Sequence, residues 1–197
     1  MTDTSHKQPD GDTCSSPQEI ARLTKRIHKP VVLVGLMGAG KSTVGRRLAA
    51  LLGRDFIDAD DAIEDAARRS IAEIFDEFGE AYFRDGERRV IARLMEEEHG
   101  VIATGGGAFI DPQTRALILD RGIAVWIDCD VETLVERTSR RNHRPLLKTG
   151  DPHEILSRLI EERSPAYSQA PVRVKSRDGP HSDTAHAILK GIEDYLS

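Results

Sequence analysis

The sequence is poor in cysteine and contains no long apolar run. Its two cysteines, Cys14 and Cys129, are too few and too far apart for a disulfide framework or a zinc cluster. No stretch approaches the length of a membrane span, and the N-terminus lacks the apolar segment of a signal peptide. These absences favour a cytoplasmic protein that has no membrane association.

Basic residues do not outnumber acidic ones. The chain has 28 Lys and Arg residues and 33 Asp and Glu residues, which gives a formal net charge of −5 at pH 7. Because nucleic-acid binding needs a basic face, this balance argues against nucleic acid as the main partner. The length of 197 residues is enough for one α/β domain with a hydrophobic core.

What the chain does contain is a glycine-rich segment at residues 35–43. Its sequence, GLMGAGKST, fits the pattern G-x-x-x-x-G-K-[ST] of a phosphate-binding loop. An apolar, β-branched run at 31–34 precedes it, and a segment with an apolar helical face at 44–52 follows it. The motif therefore lies between a strand and a helix, which is the context that it requires.

This loop suits the phosphates of a nucleotide. Its glycines let backbone N–H groups approach a polyphosphate closely, and the helix N-terminus adds partial positive charge. The motif assigns the ammonium group of Lys41 to the β- and γ-phosphates and the hydroxyl group of Ser42 to Mg²⁺. The loop residues expected to contact the nucleotide are Gly38, Ala39, Gly40, Lys41, Ser42 and Thr43.

The rest of the chain alternates between strand and helix patterns. Residues 1–17 have no apolar period and are expected to be disordered, whereas residues 18–28 fit a short helix. We therefore predict an N-terminal extension, disordered or weakly helical, over residues 1–29 and one domain over residues 30–197. Strands separated by helices predict a three-layer α/β/α fold with a sheet of five parallel strands.

Two aspartates follow the second predicted strand, at 58 and 60. In a parallel sheet this edge also carries the phosphate-binding loop, and residues i and i+2 of an extended segment share a side. One carboxylate can belong to the shell of a Mg²⁺ ion, and the other can position a hydroxyl group or accept its proton. The alternative is that Asp60 or Asp61 only caps the following helix.

Two further segments are candidates for a substrate site. Arg84 and Glu87 have the i, i+3 spacing of a helical ion pair, which can also be a solvated surface pair. Three glycines, 105–107, follow an apolar strand, and so much backbone freedom favours a ligand that touches the main chain. A tight connection between strand and helix is the alternative for these glycines.

Residues 139–150 contain three arginines and no apolar period, so a mobile loop is predicted there, followed by a helix over 152–163. Such a loop can close over a nucleotide, exclude water and stabilise charge on the transferred group. The alternative is a solvated basic segment.

Taken together, these motifs resemble those of bacterial shikimate kinases, and the match runs from about Val31 to the C-terminus. Each motif occurs once and in the family's order: GLMGAGKST at 35–43, FIDAD at 56–60, FR at 83–84 with Glu87, TGGGA at 104–108, RPLL at 144–147 and RSPAY at 163–167. The resemblance implies a P-loop NTPase fold like that of the nucleoside monophosphate kinases, with a lid at about 139–150. It also implies ATP-dependent phosphorylation of the 3-hydroxyl of shikimate, in the route to chorismate and the aromatic amino acids.

The resemblance implies roles for the residues at the nucleotide. Lys41 and Arg144 would contact the phosphates and take part in catalysis. Ser42 would ligate Mg²⁺, and Asp58 would hold the metal through water. Asp60 would bind the hydroxyl groups of the substrate and is the candidate base.

On the same resemblance, Arg84 and Arg163 would clamp the carboxylate of shikimate, and Glu87 would orient Arg84. The remaining implied contacts are Phe75, Phe83, Gly105, Gly106 and Gly107 around the substrate, and Arg137 and Pro180 beside the adenine. The N-terminal extension is not part of the family pattern, and a monomer is expected.

Two other functions compete with this one. Another small-metabolite P-loop kinase, such as a gluconate kinase, would share the phosphate-binding loop and the lid, but it does not predict the other motifs together. A catalytically inactive binding module should have lost charged groups from the centre of the site, whereas this chain keeps them all.

Overall fold

The computed structural model of the chain describes residues 16–97, 100–139, 150–176 and 179–197. Within these ranges the strands are β1 (Val31–Val34), β2 (Phe56–Asp58), β3 (Val101–Ala103), β4 (Ile123–Cys129) and β5 (Val172–Ser176). The helices are α1 (Pro17–Arg26), α2 (Lys41–Leu52), α3 (Ala59–Ala67), α4 (Ile71–Glu97), α5 (Pro112–Arg121), α6 (Val131–Ser139), α7 (Pro152–Tyr167) and α8 (His181–Tyr195).

The five strands run parallel in one sheet, in the order β2-β3-β1-β4-β5. The chain moves to one side of β1 to form β2 and β3, and it then crosses to the other side to form β4 and β5. Ligands of open α/β sheets bind at such a reversal, at the carboxyl ends of the strands. The phosphate-binding loop follows β1 and the triple glycine follows β3, so both lie at this point.

The hydrophobic core is centred on β1. All four residues of this strand have 0 % of their surface exposed, which explains why the strand reads as a continuous apolar run rather than an alternating one. The edge strand β5 instead alternates buried and exposed residues. The predicted α/β fold with five parallel strands is confirmed.

Helix α4 consists of two helical parts that meet at Gly79, whose φ of +79° and ψ of 176° are not helical. A capping box precedes the first part: the Ser70 N–H donates to Glu73 Oε2 over 2.7 Å, and the Glu73 N–H donates to Ser70 Oγ over 3.3 Å. The second part of the helix carries Arg84 and Glu87. The bend at Gly79 therefore sets the direction in which this pair is presented.

Helix α7 extends one turn beyond the predicted end at Arg163. It continues through Pro165 to Tyr167, which is 2 % exposed and stacks on the rings of Phe109 and Trp126. Proline in the last turn removes only one helical hydrogen bond. The free energy gained by burying the Tyr167 ring outweighs the loss of that hydrogen bond. This burial depends on distant residues, so a helical pattern in the local sequence does not reveal it.

Residues before Pro30 pack on the same core as the sheet. Helix α1 begins with a capping box at Ser16, and Leu23 and Ile27 are 5 % and 2 % exposed within the main hydrophobic cluster. The guanidinium of Arg54 donates to the carbonyl oxygens of Thr24 and Ile27 over 3.1 and 2.6 Å. The domain boundary that the sequence predicts at residue 30 therefore falls within one packed cluster.

Two predictions concern residues that the structure does not describe. The predicted disordered tail includes residues 1–15, and the predicted lid includes residues 140–149 with Arg144; both segments lie outside the described residues. Among the helices that are described, none has the length and apolarity needed to cross a bilayer.

Candidate active site

The phosphate-binding loop turns into α2 through left-handed glycines. Gly38 and Gly40 have φ values of +84° and +92°, a conformation that glycine adopts without steric cost. Helix α2 then begins at Lys41 with no side chain capping it, so its first N–H groups point out of the helix end as donors for an anion. The Lys41 ammonium donates to the carbonyl oxygens of Gly35 and Leu36 over 2.8 and 2.9 Å.

Asp58 connects β2 to the phosphate-binding loop. The hydroxyl group of Ser42 donates to Asp58 Oδ2 over 2.7 Å, and Asp58 Oδ1 accepts from the Asp60 N–H over 3.2 Å. Asp58 is thus the N-cap of α3. The sequence alternative that Asp60 or Asp61 caps this helix was wrong, because the chain enters the helix directly from β2 and the cap falls earlier.

The carboxylate of Asp60 lies between the loop and the triple glycine. Burial raises its pKa above the ordinary value, and the negative charge of Asp58 adds to this rise, while the positive charge of Lys41 opposes it. A methyl group on Gly105 would lie 2.7 Å from Asp60 Oδ1. A side chain at position 105 would therefore force the Asp60 carboxylate to move.

Arg84 and Glu87 form the predicted ion pair. Arg84 Nη1 donates to Glu87 Oε2 over 2.6 Å, and the side chain of Glu87 is 1 % exposed. Burial raises the pKa of Glu87, and Arg84 opposes this rise. The alternative of a solvated surface pair was wrong, since the glutamate is enclosed and can fix the direction of the guanidinium.

The triple glycine makes room for side chains of the site. A methyl group on Gly107 would overlap the Arg84 guanidinium, with its Cζ only 2.8 Å away. A methyl group on Gly106 would lie 3.3 Å from the Met37 backbone nitrogen in the phosphate-binding loop. The three glycines thus let Asp60, the phosphate-binding loop and Arg84 all approach one turn. None of these glycines has a positive φ.

Two residues of α7 bind the same carbonyl group in that turn. Arg163 Nη1 and the Tyr167 hydroxyl donate to the Gly106 oxygen over 3.2 and 2.5 Å. Burial raises the pKa of Tyr167 to about 12, so the hydroxyl keeps its proton for this bond at any physiological pH. The sequence reasoning missed Tyr167; its spacing of four residues from Arg163 was the available signal.

The two phenylalanines support the site from the side of α4. The rings of Phe75 and Phe83 lie with their centroids 4.5 Å apart, and the Arg84 guanidinium lies 5.1 Å from the centroid of Phe83. Phe83 is 4 % exposed and borders an apolar cavity of about 380 Å³ between α3 and α4, which contains no residue of the phosphate-binding loop. Because the Arg84 guanidinium lies over its face, the ring of Phe83 packs beneath Arg84.

The two residues predicted to flank the adenine lie beside the other end of the loop. Arg137 Nη1 donates to Ser176 Oγ over 3.1 Å and to the Ala39 carbonyl oxygen over 3.4 Å. Pro180 is the N-cap of α8. These contacts join α6 and the end of β5 to the phosphate-binding loop.

The donor set at Ser42 and Asp58 fits a hard cation. A hydroxyl and a carboxylate oxygen 2.7 Å apart are the ligand types that Mg²⁺ prefers. Across the described ranges, no three His, Cys, Asp or Glu side chains cluster closely enough to hold a metal by themselves. Mg²⁺ at kinase sites is usually held by one or two protein ligands, with substrate phosphates and water supplying the others.

Comparison with known proteins points to one family. Residues 37–193 match the family model described as shikimate kinase. A shikimate kinase of Novosphingobium aromaticivorans is 60 % identical over 185 residues, which cover 92 % of this chain and 96 % of that protein. A shikimate kinase of Paramagnetospirillum magneticum is 54 % identical over 182 residues, covering 90 % and 93 %.

Solved structures agree with the sequence matches. A shikimate kinase from Acinetobacter baumannii in complex with shikimate has a TM-score of 0.80 and 39 % identity, and the match covers 87 % of this chain and 97 % of that one. A gluconokinase from Sinorhizobium meliloti, at 18 % identity and a TM-score of 0.56, shares the fold alone. With the family model spanning most of the chain and the identity of its relatives reaching 60 %, this chain belongs to the shikimate kinase family.

Proposed function

We propose that this enzyme transfers the γ-phosphoryl group of ATP to the 3-hydroxyl of shikimate. The observation that carries the proposal is the turn at residues 105–107. Asp60, Arg84 and Arg163 each lie against one of its three glycines, and Gly106 lies against the phosphate-binding loop. A carboxylate and two guanidinium groups thus surround a place next to the expected position of the γ-phosphate.

Two arginines suit an acidic substrate. The planar guanidinium group matches a carboxylate through paired N–H donors, which a lysine cannot do. We assign Arg84 and Arg163 to the carboxylate of shikimate, with Glu87 holding the direction of Arg84. Since these arginines come from separate helices, they would fix the ring so that one hydroxyl group points toward ATP.

Asp60 would then hold that hydroxyl group. Phosphoryl transfer has a loose transition state, so correct placement and neutralisation of charge matter more than a strong base. Lys41 would supply positive charge to the β- and γ-phosphates, and Arg137 and Pro180 would flank the adenine. Arg144, in the predicted lid, is assigned to the phosphates on the family motif alone.

We infer that Ser42 and Asp58 hold Mg²⁺, with Ser42 as a direct ligand and Asp58 acting through water. When bound, the metal neutralises charge on the phosphates of ATP. The protein is further proposed to act as a cytoplasmic monomer.

A coupled assay that detects ADP tests the activity. The purified chain is given ATP, Mg²⁺ and either shikimate or gluconate, and the product is examined by mass spectrometry and NMR for phosphate on O3. We expect turnover with shikimate only, and none when Mg²⁺ is omitted. Turnover with gluconate while shikimate is inert would indicate the other kinase class, and nucleotide binding measured by calorimetry without turnover would indicate an inactive module.

Arg84→Ala and Arg89→Ala form the matched pair for this assay. Both arginines are on α4, but Arg89 is 67 % exposed and pairs only with Asp85 among the described residues. Loss of a charge-assisted contact to the carboxylate should raise the KM for shikimate by about 10- to 100-fold in Arg84→Ala. Arg89→Ala should behave as the unchanged enzyme, and equal effects in both variants would contradict the assignment.

A further inference from the structure

His181 lies at a junction of three elements beside the phosphate-binding loop. It is the first residue of α8 and follows Pro180. A methyl group on Gly40 would lie 3.6 Å from His181 Cε1, 3.8 Å from its Nδ1 and 3.7 Å from Arg137 Nη1. The imidazole ring therefore faces the residue at which the loop becomes α2, and it shares that place with the guanidinium of Arg137.

The Nδ1 atom of His181 is buried without a hydrogen-bond partner. Within the described part of the chain it is the one buried side-chain nitrogen or oxygen in this condition. An unsatisfied buried polar atom destabilises a folded chain, and folded proteins retain few of them. His186, on the same helix, shows the ordinary arrangement, because its Nδ1 lies 2.8 Å from the Ser182 carbonyl oxygen.

Packing alone does not account for this nitrogen. If the ring served only to fill space between α8 and the loop, an apolar ring would do so without the cost of an unsatisfied atom. A polar atom held without a partner beside a ligand site is explained when the ligand supplies the partner. The neighbouring residues, Gly40 and Arg137, are those assigned above to the nucleotide.

We propose that His181 is a nucleotide-positioning residue whose Nδ1 hydrogen-bonds to bound ATP or ADP where the ribose joins the α-phosphate. This rests on the proposed function. On that function, the start of α2 binds the phosphates, and Arg137 and Pro180 flank the adenine. A side chain between the start of α2 and Arg137 then faces the bond between the ribose and the α-phosphate. An imidazole nitrogen there can accept from a ribose hydroxyl or donate to a phosphate oxygen.

Four variants separate this role from packing. His181→Phe keeps a ring and removes both nitrogens, His181→Asn keeps a polar atom at the distance of Nδ1, and His181→Gln keeps one at the distance of Nε2. His186→Phe is the control on the same helix. Calorimetry gives the Kd values for ADP and for shikimate, and thermal unfolding is measured with and without ADP.

We expect the Kd for ADP to rise about 5- to 20-fold in His181→Phe and in His181→Gln, which is the effect of one lost hydrogen bond. His181→Asn should stay within about 3-fold of the unchanged chain, because its amide replaces Nδ1. The Kd for shikimate should be unaltered, and His186→Phe should bind ADP normally. Without ADP, His181→Phe should unfold at the same temperature or a higher one.

Three results would overturn the proposal. ADP could bind His181→Phe as tightly as the unchanged chain, or Asn could fail to restore binding while Phe and Gln lose it. The third is a lower unfolding temperature without ADP together with weaker binding of both ligands, which indicates a structural role. If the unchanged chain bound no ADP at all, the proposed function itself would fail, and this outcome is distinct from the other three.

Discussion

Asp60 and Glu87 are carboxylates that the fold holds in partly dehydrated positions. Burial is the largest cause of the raised pKa of both groups, and the opposing charges of Lys41 and Arg84 reduce the effect without cancelling it. Both side chains thus destabilise the folded chain when they are ionised, because the unfolded chain hydrates them better. On the proposed function, Asp60 binds the substrate and Glu87 orients Arg84, which would account for carboxylates at these costly positions.

Asp60→Asn should therefore stabilise the protein near neutral pH. Because the folded chain has the higher pKa at this position, the stability due to protonation of Asp60 is complete below the unfolded value of about 3.8 and is lost as pH rises through the folded value. The amide carries no charge and escapes this loss. Urea unfolding over a series of pH values from about 7 down toward about 4 should show a gain that shrinks as pH falls through the folded pKa of Asp60. Asp65→Asn, at an exposed position, is the control.

The same variant tests what Asp60 does in the reaction. If the carboxylate mainly positions the hydroxyl group, Asp60→Asn should keep the acidic limb of the pH–rate profile at a modestly lower rate. Removal of a general base would cost about 10²- to 10⁴-fold instead. Complete loss of turnover with normal shikimate affinity would favour the base role.

Gly107→Ala should weaken shikimate binding without unfolding the chain. The new methyl group overlaps the Arg84 guanidinium, and since the residue has ordinary backbone angles, the side chain of Arg84 has to move. We expect the Kd for shikimate to rise about 10- to 100-fold, as for a lost charge-assisted contact. Gly86→Ala is the control, since a methyl group there meets nothing within 4 Å. An unchanged Kd in Gly107→Ala would mean that Arg84 does not hold the substrate.

At the scale of whole elements, signals that lie close together in the sequence were sufficient. The pattern at 35–43, with an apolar strand run before it and an apolar helical face after it, predicted β1, the phosphate-binding loop and α2, because it depends on neighbouring residues. The end of α7 was not predictable in this way. It depends on a ring stack formed with residues about 40 to 60 positions away in the chain.

The same distinction applies to the candidate site. Arg84 and Glu87 are predictable as a pair because helical spacing brings them together. The packing of each glycine of 105–107 against a different side chain depends on the order of the strands. Helical spacing and turn chemistry carry no information on that order.

Helix α4 depends on Gly79 for its bend. A φ of +79° with a ψ of 176° is accessible almost only to glycine, and a methyl group there would meet no neighbour within 4 Å. Gly79→Ala should thus cost about 1–3 kcal/mol through backbone strain alone. The Kd for shikimate should rise as well, because the bend directs the part of the helix that carries Arg84.

Urea unfolding and shikimate calorimetry check the Gly79→Ala prediction together. Gly86→Ala, in the regular second part of the helix, should instead gain up to about 1 kcal/mol, since alanine is the better helix former. A Gly79→Ala variant that unfolds at the urea concentration of the unchanged chain would show that the bend does not depend on glycine.

Across the whole molecule, the site is assembled at the carboxyl ends of the strands, and helices that pack on the sheet and on one another hold it in place. Helix α8 packs on α2 and β5, and α1 packs on α2 and α8. The family model begins at residue 37 and so does not include α1. Even so, the apolar side of α1 is part of the same hydrophobic cluster as β1 and α2.

The N-terminal helix is expected to contribute to stability and not to catalysis. Ile27→Ala removes a side chain that is 2 % exposed, and core truncations of this kind cost about 2–5 kcal/mol. Leu23→Ala should fall at the lower end of that range because its site is nearer the surface. The free energy of unfolding in urea should decrease by these amounts while kcat at 25 °C stays unchanged, since α1 supplies none of the residues assigned to ATP or shikimate. Arg22→Ala, at an exposed position on the same helix, is the control. If Ile27→Ala and Arg22→Ala unfold at the same urea concentration, α1 lies on the domain without stabilising it, and the domain begins at residue 30 as the sequence predicts.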